Sequence, residues 1–150
     1  MQPRKGNTMD KFEEMLAKQE ELQIKAYGGS PALLDGEERI QFIKDMILAL
    51  EDELHEALGE VGWKPWATSR HVHTAAFKGE LVDAFHFFMN LMLAVNMDTD
   101  ELYARYMAKR EKNQARQAAG YDGLTGKCPG CRRALDDEAV TCTEDHCSEA

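Results

Sequence analysis

The sequence predicts an all-α fold, a four-helix bundle with a small C-terminal appendage, on three observations. Apolar residues recur at spacings of three and four from about Asp10 to Tyr121, the period of helices that each bury one face. Glycine and proline fall at the junctions between these runs, at Gly28–Gly29, at Ser30–Pro31 and within Gly62–Trp63–Lys64–Pro65–Trp66. After Tyr121 the periodicity stops, and four cysteines follow in a short polar tail.

Composition bounds the function. With 150 residues, 43% hydrophobic and 30% charged, the chain has room for about one globular domain and an appendage. Its net charge of −9 argues against a nucleic-acid partner, because affinity for phosphate chains comes from Lys and Arg displacing counterions. A nucleotide stays open, since a cation held in an acidic site reverses the local field and attracts polyphosphate. No apolar run approaches the roughly 20 residues that span a bilayer, and no signal-peptide pattern opens the sequence. A cytoplasmic protein with reduced thiols and no membrane partner is therefore expected.

Residues 1–9 are polar, with Pro3 and Gly6, and read as a flexible N-terminus. From about Asp10, Phe12, Met15, Leu16, Gln19, Leu22, Gln23 and Ala26 keep helical spacing up to the Gly28–Gly29 stop. A second helix runs from about Gly36 to Gly59, with Ile40, Ile43, Ile47, Leu50, Leu54 and Leu58 as its expected buried stripe. Glu53 lies at the stripe's edge and Glu56 farther round. A loop follows to about His73. Its Trp63, Lys64 and Trp66 could stack on a base and touch phosphate, or the two rings could cap the core. His71 and His73 read as solvated or hydrogen-bonded loop histidines rather than as a metal pair. The third helix, about Thr74 to Met97, is apolar on most of its circumference, which predicts burial all round. Asp98–Thr99–Asp100–Glu101 starts the fourth, with Leu102, Tyr106 and Met107 inward. Lys109, Arg110, Lys112 and Arg116 follow, where cations either favour the helix dipole or neutralise phosphate.

The chemistry-bearing residues are acids. Glu53 and Glu56 on the second helix, and Glu80 and Asp83 on the third, are i, i+3 pairs, so each pair shares a helix face. Antiparallel packing of the two helices would close four carboxylates around a small volume. Burial of Glu80 and Asp83 in an apolar helix needs a cation or strong donor to meet them, and Lys78, the nearest helical base, cannot satisfy both. Hard oxygen ligands of this kind suit Mg²⁺ or Mn²⁺, one ion or more, with open positions for phosphate oxygens and water.

In the tail, residues 122–126 read as a linker and 127–150 as a zinc-binding motif. Cys128 and Cys131 form a CxxC knuckle, answered by Cys142 and then His146 and Cys147. A segment too short to bury a core needs such a set for tetrahedral Zn²⁺, in a small zinc ribbon or knuckle. Cys147 is the default fourth ligand and His146 the alternative; a redox CxxC lacks its βαβ context. Six acids against three bases from Lys127 onward give the motif a poor footprint for DNA. It is expected to be structural or to contact protein.

In order, Gln19, the ExxE pair, Trp63–Lys64 and Trp66, the ExxD pair, Lys109, Asn113, Arg116–Gln117 and Gly120–Tyr121 resemble the all-α nucleotide pyrophosphohydrolases. Among these, the dimeric, phage-type dUTPases are nearest, with the MazG-like enzymes as the wider group. The resemblance covers about residues 12–121 and implies hydrolysis of a (d)NTP, dUTP first, to a (d)NMP and pyrophosphate. With Lys109–Arg110 where dUTPase-like sequences tend to read Lys–Asn, dCTP, dATP and dGTP remain alternatives. The resemblance implies Glu53, Glu56, Glu80 and Asp83 as catalytic Mg²⁺ ligands. It implies Lys64, Lys109, Asn113, Arg116 and Tyr121 as phosphate or sugar ligands, and Gln19 with Trp63 or Trp66 as bounds of the base pocket. A homodimer or homotetramer is expected, in the host cytoplasm if a phage carries the gene. The reading from another class is a non-catalytic zinc adaptor whose acids are solvated.

Overall fold

A computed structural model describes residues 10–128 and 130–134; the expected zinc ligands Cys142, His146 and Cys147 lie outside them. The order of elements is α1 (Lys11–Tyr27), a 3₁₀ turn (Pro31–Leu33), α2 (Gly36–Gly59), α3 (Thr74–Ala94) and α4 (Thr99–Ala118), with no named strand among the described residues. The chain divides into two compact units, Met1–Tyr103 and Ala104–Ala150, the division falling inside α4. None of the described helices is long and apolar enough to cross a membrane.

The helix ends follow from local chemistry. Asp10 caps α1 by accepting from the Phe12 and Glu13 N–H groups, and Glu13 returns the bond to the Asp10 N–H, a reciprocal box that satisfies the first turn's donors. Gly28, at φ 86°, closes α1, because a left-handed residue there carries no Cβ penalty. The third helix stops at Ala94, short of the expected Met97. Asn96 takes φ 54°, and the Met97 N–H donates back to the Met92 carbonyl at 2.9 Å, a left-handed stop made by asparagine in place of glycine.

In the first unit, α2 packs on α3, while α1 and the 3₁₀ turn pack on α3 as well. The α2–α3 connection is pinned by a Val61–Val72 bridge and by the bonds Gly62 N–H to His71 O (2.8 Å) and His73 N–H to Glu60 O (2.9 Å), so the two helices form a closed hairpin. The buried apolar centre is Ala57, Ala84, Met89, Met92, Leu93 and Ala94, with Phe12 of α1 against Phe85 of α3 at 5.7 Å between ring centroids.

Two expectations about burial are corrected. Of the α2 stripe, Ile40, Ile47, Leu54 and Leu58 are exposed, as are Leu81 and Val82 of α3. Glu80 is half-buried and Asp83 exposed, so the acids are not sealed in a core. The reason is geometric: neighbours within one chain cover a single face of each helix, and a sequence apolar all round does not say which faces those are.

In the second unit, Gly120 at φ 79° follows the end of α4, and Asp122 then holds a tight turn through the Leu124 and Thr125 N–H groups and the Thr125 hydroxyl. Those bonds pull the Asp122 carboxyl down to about 2. Tyr106, expected inward, is exposed; Leu102 and Met107 are half-buried.

Candidate metal and substrate site

Helical periodicity places Glu53 on the face of α2 that carries the buried Ala57, and Glu80 on the face of α3 that carries the buried Ala84. Small residues allow close approach of the two helices at that level. Carboxylate oxygens of Glu53, Glu80 and Asp83 accordingly lie within 4.8 Å of one another, a group that can hold a metal ion. Glu56 is exposed and stands outside that group.

The cluster is electrostatically unrelieved. Partial burial first, and then the charges of Glu56, Asp83, Glu80 and Asp52, hold the Glu53 carboxyl above the ordinary carboxylate range. The ion pairs Lys18–Glu21, Lys25–Glu21 and His73–Glu60 lie elsewhere. Lys78 pairs with neither Glu80 nor Asp83. Like charges brought together from two helices without a base between them suit a divalent cation, and all three donors are hard oxygens.

The Trp loop at the hairpin's closed end is tied down by hydrogen bonds. Arg70 donates to the carbonyls of Lys64, Pro65, Ala67 and Ser69 at 2.7–3.0 Å. Gly62 passes so close to the returning segment that a Cβ would stand 2.7 Å from Ser69 O and 2.9 Å from His71 N. On this frame Trp63 and Trp66 meet edge to face at 6.1 Å, 49% and 75% exposed, so neither ring caps the core. His71 bonds Ser69 Oγ and His73 bonds Glu60, their rings stacked at 4.6 Å, in keeping with hydrogen-bonded loop histidines.

Gln19 is brought to α3. Its Nε2 donates to Asn90 Oδ1 at 2.8 Å, and its Oε1 lies 2.6 Å from His86 Nδ1. Gln19 and His86 border a cavity of about 200 Å³ walled by Met15, Leu22, Val82, Phe85 and Met89. Sequence reasoning missed His86, Asn90 and Arg70. The signal for the first two was present: polar residues at i, i+4 inside an otherwise apolar helix ask for a shared partner.

The second unit carries the remaining candidates. Lys109 and Asn113 share a concave face of α4 with Tyr106 and Gln117; Arg116 is half-buried, and Tyr121 lies 5.8 Å under the Lys127 ammonium. Cys128 and Cys131 sit on a tight hairpin, joined by the Lys127–Ala134 bridge and the Cys128 N–H to Arg133 O bond at 2.8 Å, with Cys128 buried.

A family model described as dUTPase matches residues 11–101. Two phage proteins are similar over most of their length, each named dCTP pyrophosphatase. The one from Enterobacteria phage LZ5 is 27% identical over 146 residues, 77% of this chain and 85% of that protein. The one from Enterobacteria phage T4 is 26% identical over the same shares. No solved structure matches.

Proposed function

The chain belongs to the dUTPase family and is a nucleotide pyrophosphohydrolase, and from that premise we propose that its substrate is dCTP, cleaved between the α- and β-phosphorus to dCMP and pyrophosphate. The dUTP expected from the sequence gives way to dCTP because both similar phage proteins carry that substrate in their names. The observation that carries the mechanism is the convergence of Glu53, Glu80 and Asp83 from two helices, whose carboxylate oxygens lie within 4.8 Å of one another.

In this reading Glu53, Glu80 and Asp83 hold Mg²⁺ or Mn²⁺, and Glu56 adds its charge to the cluster from outside. Such a cation neutralises charge on the phosphates and acidifies a water. Glu53 or a neighbouring carboxylate accepts the proton of the water that attacks the α-phosphorus, and pyrophosphate leaves on the opposite side. Trp63, Lys64 and Trp66 present ring faces and a charge from a rigid loop. Gln19 and the cavity beside it take the base. Lys109, Asn113, Arg116 and Tyr121 are assigned to phosphates and sugar on side-chain chemistry alone. Zn²⁺ held by Cys128, Cys131, Cys142 and either Cys147 or His146 is a structural element. A panel of dNTPs with Mg²⁺ in ¹⁸O-labelled water tests the reading. dCTP as the best substrate, with label only in dCMP, is expected; label in pyrophosphate, or release of orthophosphate, contradicts it.

A further inference from the structure

His86 and Asn90 stand one turn apart on α3 and both point their polar ends to Gln19 of α1. Their hydrogen-bond directions are fixed by one weak acceptor. Asn90, 2% exposed, places its Nδ2 3.3 Å from Met46 Sδ. A thioether accepts and cannot donate, so the amide's N–H side must face it; the reversed amide would set oxygen against sulfur with no hydrogen between. Asn90 Oδ1 therefore faces α1, and only the Nε2 side of Gln19, 3% exposed, can meet it. The Gln19 oxygen is thereby turned to His86 Nδ1 at 2.6 Å, and an oxygen without a hydrogen is met there only by an N–H.

We propose that Asn90 is a positioning residue that, through Gln19, holds His86 with its hydrogen on Nδ1, so that Nε2 is the acceptor by which the neighbouring cavity selects a 4-aminopyrimidine over a 4-oxopyrimidine. The base-selecting half rests on the reading of this cavity as the base site. Neutral imidazole in water carries its hydrogen mostly on Nε2, so the relay enforces the less common form. His86 makes no second hydrogen bond among the described residues, and it is half-buried at the cavity wall. A cytosine amine offers that nitrogen a donor. A uracil carbonyl offers that nitrogen a second acceptor, which leaves two lone pairs opposed, while the cation at the cavity wall, Lys18, is engaged by Glu21.

The test uses the full chain in two measurements. Long-range ¹H–¹⁵N spectra of histidine-labelled protein at pH 8, above the ordinary imidazole range near 6.5, are expected to show His86 with Nδ1 protonated and Nε2 bare. Asn90→Leu should shift the hydrogen toward Nε2 and lower the ratio of kcat/KM for dCTP over dUTP by about tenfold, the scale of one buried hydrogen bond. Gln19→Leu, which removes the acceptor that meets His86 Nδ1, should shift the hydrogen and lower the ratio in the same way. Wild-type His86 protonated on Nε2, or an unchanged ratio in folded Asn90→Leu, overturns the proposal. If wild type hydrolyses neither triphosphate, the dCTP reading falls and base selection with it, while the spectrum still decides the relay. If Asn90→Leu does not fold, the wild-type spectrum and Gln19→Leu decide.

Discussion

Glu53 concentrates the charge of the cluster in one carboxyl. Its pKa is raised in the folded chain, so the folded protein holds that proton more tightly than the unfolded chain does. Stability from the proton is present below the ordinary carboxylate value near 4.5 and is lost as pH rises through the raised value. Melting curves taken upward from the ordinary glutamate value near 4.5 should therefore show the metal-free protein losing stability as Glu53 ionises, and a larger upshift from saturating Mg²⁺ at the higher pH. An upshift independent of pH would contradict the coupling. The acids were legible in the sequence because i, i+3 spacing is a property of any helix. Their exposure was not: periodicity gives a face but not its neighbour. Glu53, Glu80 and Asp83 come together, while Glu56, equally well spaced in the sequence, stays outside.

At the scale of elements, the helices were readable almost to their ends, since Asp10 and Gly28 carry ordinary cap and stop chemistry for α1, and α2 runs from Gly36 to Gly59 as the glycines suggest. The third helix ran too long in the sequence reading because Asn96 is a less obvious left-handed stop than glycine. The Trp loop was readable only as a break. Its order comes from Arg70, whose four carbonyl partners are spread along the loop and leave no periodic trace. Gly62→Ala should cost about 1–3 kcal/mol, since a Cβ would press on backbone atoms at Ser69 and His71 that cannot swing aside. It should also raise KM more than it lowers kcat if the loop positions substrate. Denaturant unfolding and steady-state kinetics check both, and a neutral Gly62→Ala would remove the argument for a rigid loop.

For the whole molecule, the exposed apolar residues carry the main expectation. Ile40, Leu48, Leu54, Leu81 and Val82 on α2 and α3, with Met15 and Leu22 on α1, are too many to leave in water. A homodimer or homotetramer is expected, and light scattering that returns 17.0 kDa at micromolar concentration would contradict it. The zinc motif should be separable from the helices. If the proposed zinc site is there, Cys128→Ser should lower the zinc bound per chain while helical circular dichroism persists; loss of the helices would contradict that.

The central claim is that Glu53, Glu80 and Asp83 form a divalent-cation site on which pyrophosphate release depends. Melting curves of Glu80→Gln and Asp83→Asn with and without Mg²⁺, beside a pyrophosphate-release assay on dCTP, test it most directly. Removing one of several like charges should leave the metal-free variants as stable as wild type or more so, with a smaller Mg²⁺ upshift and nearly all turnover lost. Metal-free variants destabilised by roughly 3–5 kcal/mol, as for a broken buried ion pair, that still release pyrophosphate would contradict the account.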